Sequence, residues 1–185
     1  MIKEISNQTK HYITHVFLQA GVGGMAAGII SGIAKYFKRI PKIIVIEPEN
    51  ANCVMKSIKY GYQKKVNIQK QSIMGGMSCA EVSLVPWRIL KNAVNNCVSV
   101  SDKYVPQTLT MLAKKKFSNK KIVAGECSAP GVISVISFFN DPPVRRKLEI
   151  NEKSNILIIG CEGDTDKNLY NKLYKIGNQK LKKYD

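Results

Sequence analysis

The sequence predicts an α/β fold, a mostly parallel sheet with flanking helices, in one domain or part of one. Three observations point to it. Val16-Phe17-Leu18 and the apolar part of Lys42–Glu47 (KIIVIE) are continuous apolar runs without polar alternation, the pattern of strands buried on both faces. A glycine-dense turn, Gly21-Val22-Gly23-Gly24, and a helix-compatible run from Met25 to about Phe37 separate them, which makes a βαβ unit. Strand-like and helix-like segments then keep alternating to the C-terminal end.

Residues 1–13 read as an N-terminal extension ahead of the first strand. Arg39-Ile40-Pro41 ends the first long helix, and Pro48 stops the second strand. Asn50 or Asn52 is placed to cap a helix through Cys53, Met55 and Ile58 that ends at Gly61. Residues 62–72 are polar and lysine-rich, and predict irregular structure. Ser72–Glu81 (SIMGGMSCAE) is too apolar and small for an ordinary surface loop, so it is expected to line a cavity. Pro86 suits the first turn of the next helix. Cys97–Val100 reads as a third strand, and Ser101 or Asp102 as the cap of a helix reaching about Lys116. Lys121–Glu126 has strand or loop character. Ser128–Phe139 is helical, with Pro130 and Gly131 in its first turn, and Asp141-Pro142-Pro143 ends it. Ile156–Ile159 is the last strand. An amphipathic helix from Asn168 follows, and residues 177–185 read as a basic, frayed tail.

No apolar run approaches the ~20 residues of a membrane span, and the first residues lack the apolar core of a signal peptide. The expected location is the cytoplasm. Five scattered cysteines without a CxxC pair, far from His11 and His15, argue against a zinc site or a disulfide framework, so no metal is expected. The net charge of +16, from 29 basic and 13 acidic residues, raises nucleic-acid binding. The lysine groups (Lys64-Lys65, Lys114-Lys115-Lys116, Lys120-Lys121) lack interleaved aromatics, and a solvated basic surface is the preferred reading.

The chemistry sits in the glycine turn. Strand, glycine turn and helix bring free backbone N–H groups and the positive end of a helix to one point, which suits an anionic phosphate. Gly21-Val22-Gly23-Gly24-Met25-Ala26 also fits the dinucleotide pattern G-x-G-x-x-A, with Glu47 at the end of the next strand where a ribose ligand would stand. Other segments separate a dinucleotide from a single phosphate.

THVFLQAGVGGMAAG, IIVIEPENANC, SIMGGMSCAEVSLVPWRIL, IVAGECSAPGV and GCEGDTD occur in that order from about Thr14 to Tyr174. In this the chain resembles the diaminopropionate ammonia-lyases, pyridoxal-phosphate enzymes of the tryptophan synthase β-like group (fold type II). The resemblance implies a partial pyridoxal-phosphate-binding domain over residues 14–176. It implies that Gly21, Val22, Gly23, Gly24 and Met25 hold the phosphate of pyridoxal 5'-phosphate. Glu47 then becomes a structural acid at a strand end. By the same resemblance Cys79 and Glu81 belong to a stretch near the active site, Glu126 lies close to the cofactor ring, and Gly160–Asp166, with Gly160 and Cys161, passes the pyridine nitrogen.

Two departures from the family pattern matter. The usual Gly-Glu-Ser-Gly-Ala turn is Gly125-Glu126-Cys127-Ser128-Ala129, and the usual Ser-Thr before Glu-Gly-Asp-Thr-Asp is Gly160-Cys161. Glycine offers no hydroxyl to a ring nitrogen, and the thiol of Cys161 is a weaker neighbour. Family members also bond the cofactor to a lysine in their N-terminal half. No lysine here stands in that context, so no catalytic residue is nominated and the chain reads as a C-terminal half. The resemblance further implies a small amino-acid substrate, elimination of 2,3-diaminopropionate to pyruvate and ammonia, homo-oligomers, and a separate chain able to supply the lysine-bearing half. The alternative expectations are a non-catalytic remnant or binding module and, behind it, a dinucleotide-binding protein.

Overall fold

Four parallel strands form one sheet: β1 (His15–Gln19), β2 (Lys42–Pro48), β3 (Asn96–Val100) and β4 (Ile156–Ile158), in the spatial order β3-β2-β1-β4. The computed structural model describes residues 1–182; the last part of the expected basic tail, 183–185, lies outside the described residues. Strand β1 pairs with β2 from His15↔Lys42 to Gln19↔Ile46 and with β4 from His15↔Ile156 to Phe17↔Ile158. All five residues of β1 are buried, as the continuous apolar run predicts.

The period of two divides the strand residues between two cores. Val16, Leu18, Ile43 and Val45 pack on one face with α1 (Ile2–Gln8), α2 (Gly24–Tyr36), α3 (Cys53–Tyr60) and α4 (Leu84–Ala93), through residues such as Ile2, Ile29, Ile33, Val54, Trp87 and Leu90. Phe17, Ile44 and Ile46 face α5 (Val105–Ala113), α6 (Ala129–Phe139), α7 (Pro142–Leu148) and α8 (Lys167–Leu181), through Leu109, Ile133, Leu148 and Leu173. Full burial of a side chain such as Leu18 or Phe17 is worth roughly 1.5–3 kcal/mol, so the sheet is anchored from both sides.

Several local expectations give way to tertiary structure. Residues 2–8 form helix α1, whose Ile2 is buried against α2. Asn52, not Asn50, holds the N-cap position of α3, where its carbonyl accepts the Lys56 N–H at 3.0 Å. The Asn52 side chain makes no cap bond, and Glu47 does the work from the end of β2, accepting the N–H groups of Val54 (2.8 Å) and Met55 (2.7 Å). Asp102 begins a short 3-10 turn and caps nothing on α5; its carboxylate accepts the Ser72 hydroxyl (2.6 Å) and the Ile73 N–H (3.0 Å). Helix α5 stops at Ala113, short of Lys116. Lys121–Glu126 is a loop, with Glu126–Ser128 forming a 3-10 turn.

Asp141-Pro142-Pro143 starts a helix as well as following one. Asp141 Oδ1 accepts the Val144 N–H at 3.1 Å, and the prolines occupy the first turn of α7, where a missing N–H costs nothing. Gly177 does not begin a frayed tail, because it is buried within α8 against Pro106 and Thr110 of α5, and the helix runs on to Leu181. One basic stretch does involve aromatics: Lys64 stands over the rings of Tyr60 and Tyr62, 5.4 and 5.8 Å from their centroids. No helix among the described residues is long and apolar enough to cross a membrane.

Candidate functional site

The chain passes from β1 to β2 to β3 in one direction and then places β4 on the other side of β1. The boundary between β1 and β4 is therefore a topological switch point, and in open parallel sheets ligands bind beyond the carboxyl ends of the strands at such a point. A cavity of about 230 Å³ opens there, lined by Gln19, Ala20, Gly21, Val22, Gly23, Gly24, Met25, Gly76, Met77, Cys127, Cys161 and Glu162.

The near wall is the glycine turn and the start of α2. Gly23 adopts φ +90°, the left-handed region, at the N-cap of α2. A Cβ there would also lie 2.7 Å from Leu90 Cδ1, so both conformation and packing demand glycine. The turn aims the backbone outward. The N–H groups of residues 21–26 find no acceptor among the described residues, and the first intrahelical closure is Ala27 N–H to Gly23 O at 2.9 Å. Gly24 and Met25 are exposed, and a Cβ at Gly24 would meet nothing within 4 Å. Unpaired donors at a helix N-terminus, with open space before Gly24, fit a phosphate ester.

Gln19 forms the floor. Its Nε2 donates to Ile159 O (2.7 Å) and Cys127 O (3.2 Å), tying β1 to the two segments that build the far wall. Exchanging its oxygen and nitrogen would set oxygen against two carbonyls, so the orientation is fixed, and Oε1 is buried without a partner among the described residues.

The far wall joins the 125–128 turn to the 160–163 bend. Glu162 accepts the Cys127 N–H through Oε1 at 2.5 Å, and the Gly125 N–H donates to Glu162 O at 3.0 Å. The Glu126 carboxylate, the Cys127 thiol and the Glu162 carboxylate lie within 4.8 Å of one another. Burial, followed by the nearby carboxylates of Glu162 and Asp166, raises the Glu126 carboxyl above its ordinary value. Burial, reinforced by Glu162, pushes the Cys127 thiol up to about 12, which keeps it protonated at neutral pH. The cleft thus offers a positive helix end on one side and carboxylates on the other.

The sequence-predicted residues divide accordingly. Gly21, Val22, Gly23, Gly24, Met25 and Cys161 line the cavity together. Glu126 and Gly160 are outside the lining, Gly160 with open space where a side chain would project. Gly76 and Met77 bring the 72–81 stretch into the cavity wall, as expected, whereas Glu81 is exposed and outside it. Cys79 backs Gly21: a Cβ on that glycine would lie 2.8 Å from its Sγ. Glu47, the residue a dinucleotide would need, is fully buried and spent on capping α3. Sequence reasoning passed over Gln19 and Cys127 as lining residues, whereas Glu162 falls within the expected Gly160–Asp166 segment. The position of Gln19, a polar residue ending the buried strand β1 just ahead of the glycine turn, was the available signal.

Among known proteins, the diaminopropionate ammonia-lyase of Escherichia coli K12 is 32% identical over 158 residues, which cover 83% of this chain and 39% of that protein. The chain therefore spans about four-tenths of the length of the curated relatives it matches. The crystal structure of the Escherichia coli lyase in complex with D-serine superimposes with a TM-score of 0.82 at 30% identity, over 94% of this chain and 44% of the solved one. The same enzyme in complex with an aminoacrylate-PLP azomethine reaction intermediate gives a TM-score of 0.80 at 29% identity, again over 94% of this chain. The parallel sheet and its flanking helices are those of the fold type II group, whose cofactor is pyridoxal phosphate. With residues 1–162 matching the family model for "Pyridoxal-phosphate dependent enzyme", and with a phosphate-shaped cup at its switch point, the chain belongs to the pyridoxal-phosphate dependent enzymes.

Proposed function

We propose that this chain is the cofactor-phosphate portion of a diaminopropionate ammonia-lyase-like enzyme, which eliminates ammonia from 2,3-diaminopropionate and yields pyruvate. The observation that carries the reading is the row of unpaired N–H groups over residues 21–26 at the mouth of a cavity closed by the 125–128 and 160–163 segments. Gly21, Val22, Gly23, Gly24 and Met25 would hold the phosphate, and Glu126, Gly160 and Cys161 would flank the ring. When bound, pyridoxal phosphate supplies an electron sink for charge developing at the substrate α-carbon. This chain's residues bind and orient it. The helix start would offer its N–H groups to the phosphate, Gln19 ties the floor to the far wall, and Met77 and Cys127 close the walls beside it.

No lysine lines the cavity among the described residues. The cofactor-bonding lysine and the groups that move protons would come from the remainder of the family architecture, on a separate polypeptide or elsewhere in a longer chain. In the assembled form a homo-oligomer is the family expectation. The bare Gly160 favours a second reading, a binding module without catalysis, because a strand end with no polar side chain there tunes the ring less.

Equilibrium dialysis with pyridoxal phosphate, together with a pyruvate-release assay on 2,3-diaminopropionate, tests the proposal. The 185-residue chain should bind the cofactor weakly, release no pyruvate alone, and gain turnover with a lysine-bearing partner. Brisk turnover by the isolated chain sinks the division of labour, and no cofactor binding sinks the reading as a whole.

A further inference from the structure

Two segments more than thirty residues apart close the far wall of the cleft, and one hydroxyl joins them. Ser128, at the end of the 3-10 turn before α6, is 4% exposed. Its Oγ accepts the N–H groups of Cys161 (2.9 Å) and Glu162 (3.0 Å) and donates to Glu162 O (2.9 Å). A hydroxyl has one proton and two lone pairs, so all of its capacity goes into the 160–163 bend. The Cys161 Sγ lies 3.7 Å from the same oxygen. The fit is close on the other side too, since a Cβ at Gly125 would come within 2.5 Å of Glu162 Cγ and of Gly163 O. Of the two residues that end this strand segment, Gly160 carries no side chain, while Cys161 is exposed and lines the cavity.

We propose that Ser128 is a positioning residue of the cleft: its hydroxyl fixes the Gly160–Gly163 bend so that the Cys161 thiol is the polar group this strand end presents to the cofactor ring. This rests on the proposed cofactor reading and adds to it a residue that acts without touching the ligand. The glycine at 160 and the serine at 128 then belong together. One strand end has lost a side chain facing the ring, and a hydroxyl from the neighbouring turn sets the backbone that aims the next one.

Alkylation of the full chain by iodoacetamide, read peptide by peptide by mass spectrometry, tests the assignment beside equilibrium dialysis. Cys53, Cys97 and Cys127 serve as internal references, because burial holds each thiol up to about 12 and keeps it slow to react. At a cofactor concentration tenfold above its measured Kd, Cys161 alkylation should slow about 10-fold in the unaltered chain, in step with occupancy. In Ser128→Ala the cup still binds pyridoxal phosphate, but the protection of Cys161 is lost. Since that variant leaves two partly buried N–H groups without their acceptor, Cys161→Ser is the second: the fold is kept, and the absorbance band of the bound cofactor moves as a hydroxyl replaces the thiol. Equal protection in Ser128→Ala and the unaltered chain overturns the proposal. So does cofactor binding that leaves Cys161 unprotected, or an unchanged spectrum in Cys161→Ser. A chain that binds no pyridoxal phosphate overturns the proposed function, and this assignment with it.

Discussion

Replacing Glu47 by glutamine should change the pH dependence of stability more than stability itself. Glu47 is fully buried, and burial raises its carboxyl from 4.5 to about 7 despite the two N–H groups of α3 that it accepts. For an acid raised on folding, the stability carried by the neutral form is complete below about pH 4.5 and is lost as pH rises through about 7. The separation between those values, at about 1.4 kcal/mol per pH unit, amounts to about 3 kcal/mol. Glutamine has one acceptor oxygen, so either Val54 N–H or Met55 N–H faces an amide NH₂, at a cost of roughly 1–3 kcal/mol. Glu47→Gln should therefore be less stable than the unaltered chain at pH 5, and the gap should close or reverse by pH 8. Urea unfolding at intervals between those pH values, followed by fluorescence of the single tryptophan, buried Trp87, measures both curves. His15 and Glu126 titrate in both proteins and cancel in the difference. Stability curves that run parallel from pH 5 to 8 would show that Glu47 stays ionised throughout and refute the reasoning.

Gly23→Ala forces an alanine into the left-handed region, at about 1–2 kcal/mol, and drives its Cβ against Leu90. Pyridoxal phosphate should bind at least about 10-fold more weakly by equilibrium dialysis, equivalent to about 1.4 kcal/mol; unchanged affinity would mean that the turn is not the phosphate cup. Asp102→Asn leaves one acceptor where Ser72 and Ile73 now find two, so hydrogen exchange should quicken across residues 72–77 with α5 unaffected. Faster exchange at the start of α5 instead would make Asp102 a helix cap after all.

The glycine turn and all four strands were legible because their signals are local. Unbroken apolar runs such as Val16–Leu18 and Ile43–Ile46 call for burial on both faces, and a four-residue turn with three glycines leaves the backbone free to meet an anion. What escaped the sequence depends on partners distant along the chain. Asp102 looks like a cap because acids cap helices, yet Ser72 and Ile73, some thirty residues earlier, claim its carboxylate. Glu47 reads as a ribose ligand from the dinucleotide pattern or as a structural acid from the family resemblance, and its bonds to the Val54 and Met55 N–H groups at the start of α3 decide for the structural acid. The two prolines after Asp141 carry both meanings in one dimension, a stop for α6 and a first turn for α7. The packing of α8 on α5 decides that Gly177 sits inside a helix.

The far wall of the cleft shows the same division at the level of single atoms. The sequence displays the Cys127-Ser128 turn and Gly160 as two separate departures from a family pattern. In space they meet. The Ser128 hydroxyl bonds the backbone immediately after Gly160, and the cavity beside that glycine remains open. The wall is closed by a hydroxyl with every bond made, a glycine at 125 with no room for anything larger, and Gln19 tied to both segments. A wall tied together in this way can hold its shape with or without chemistry beside it, so the discriminating measurements on this chain concern what the cleft binds before they concern what it turns over.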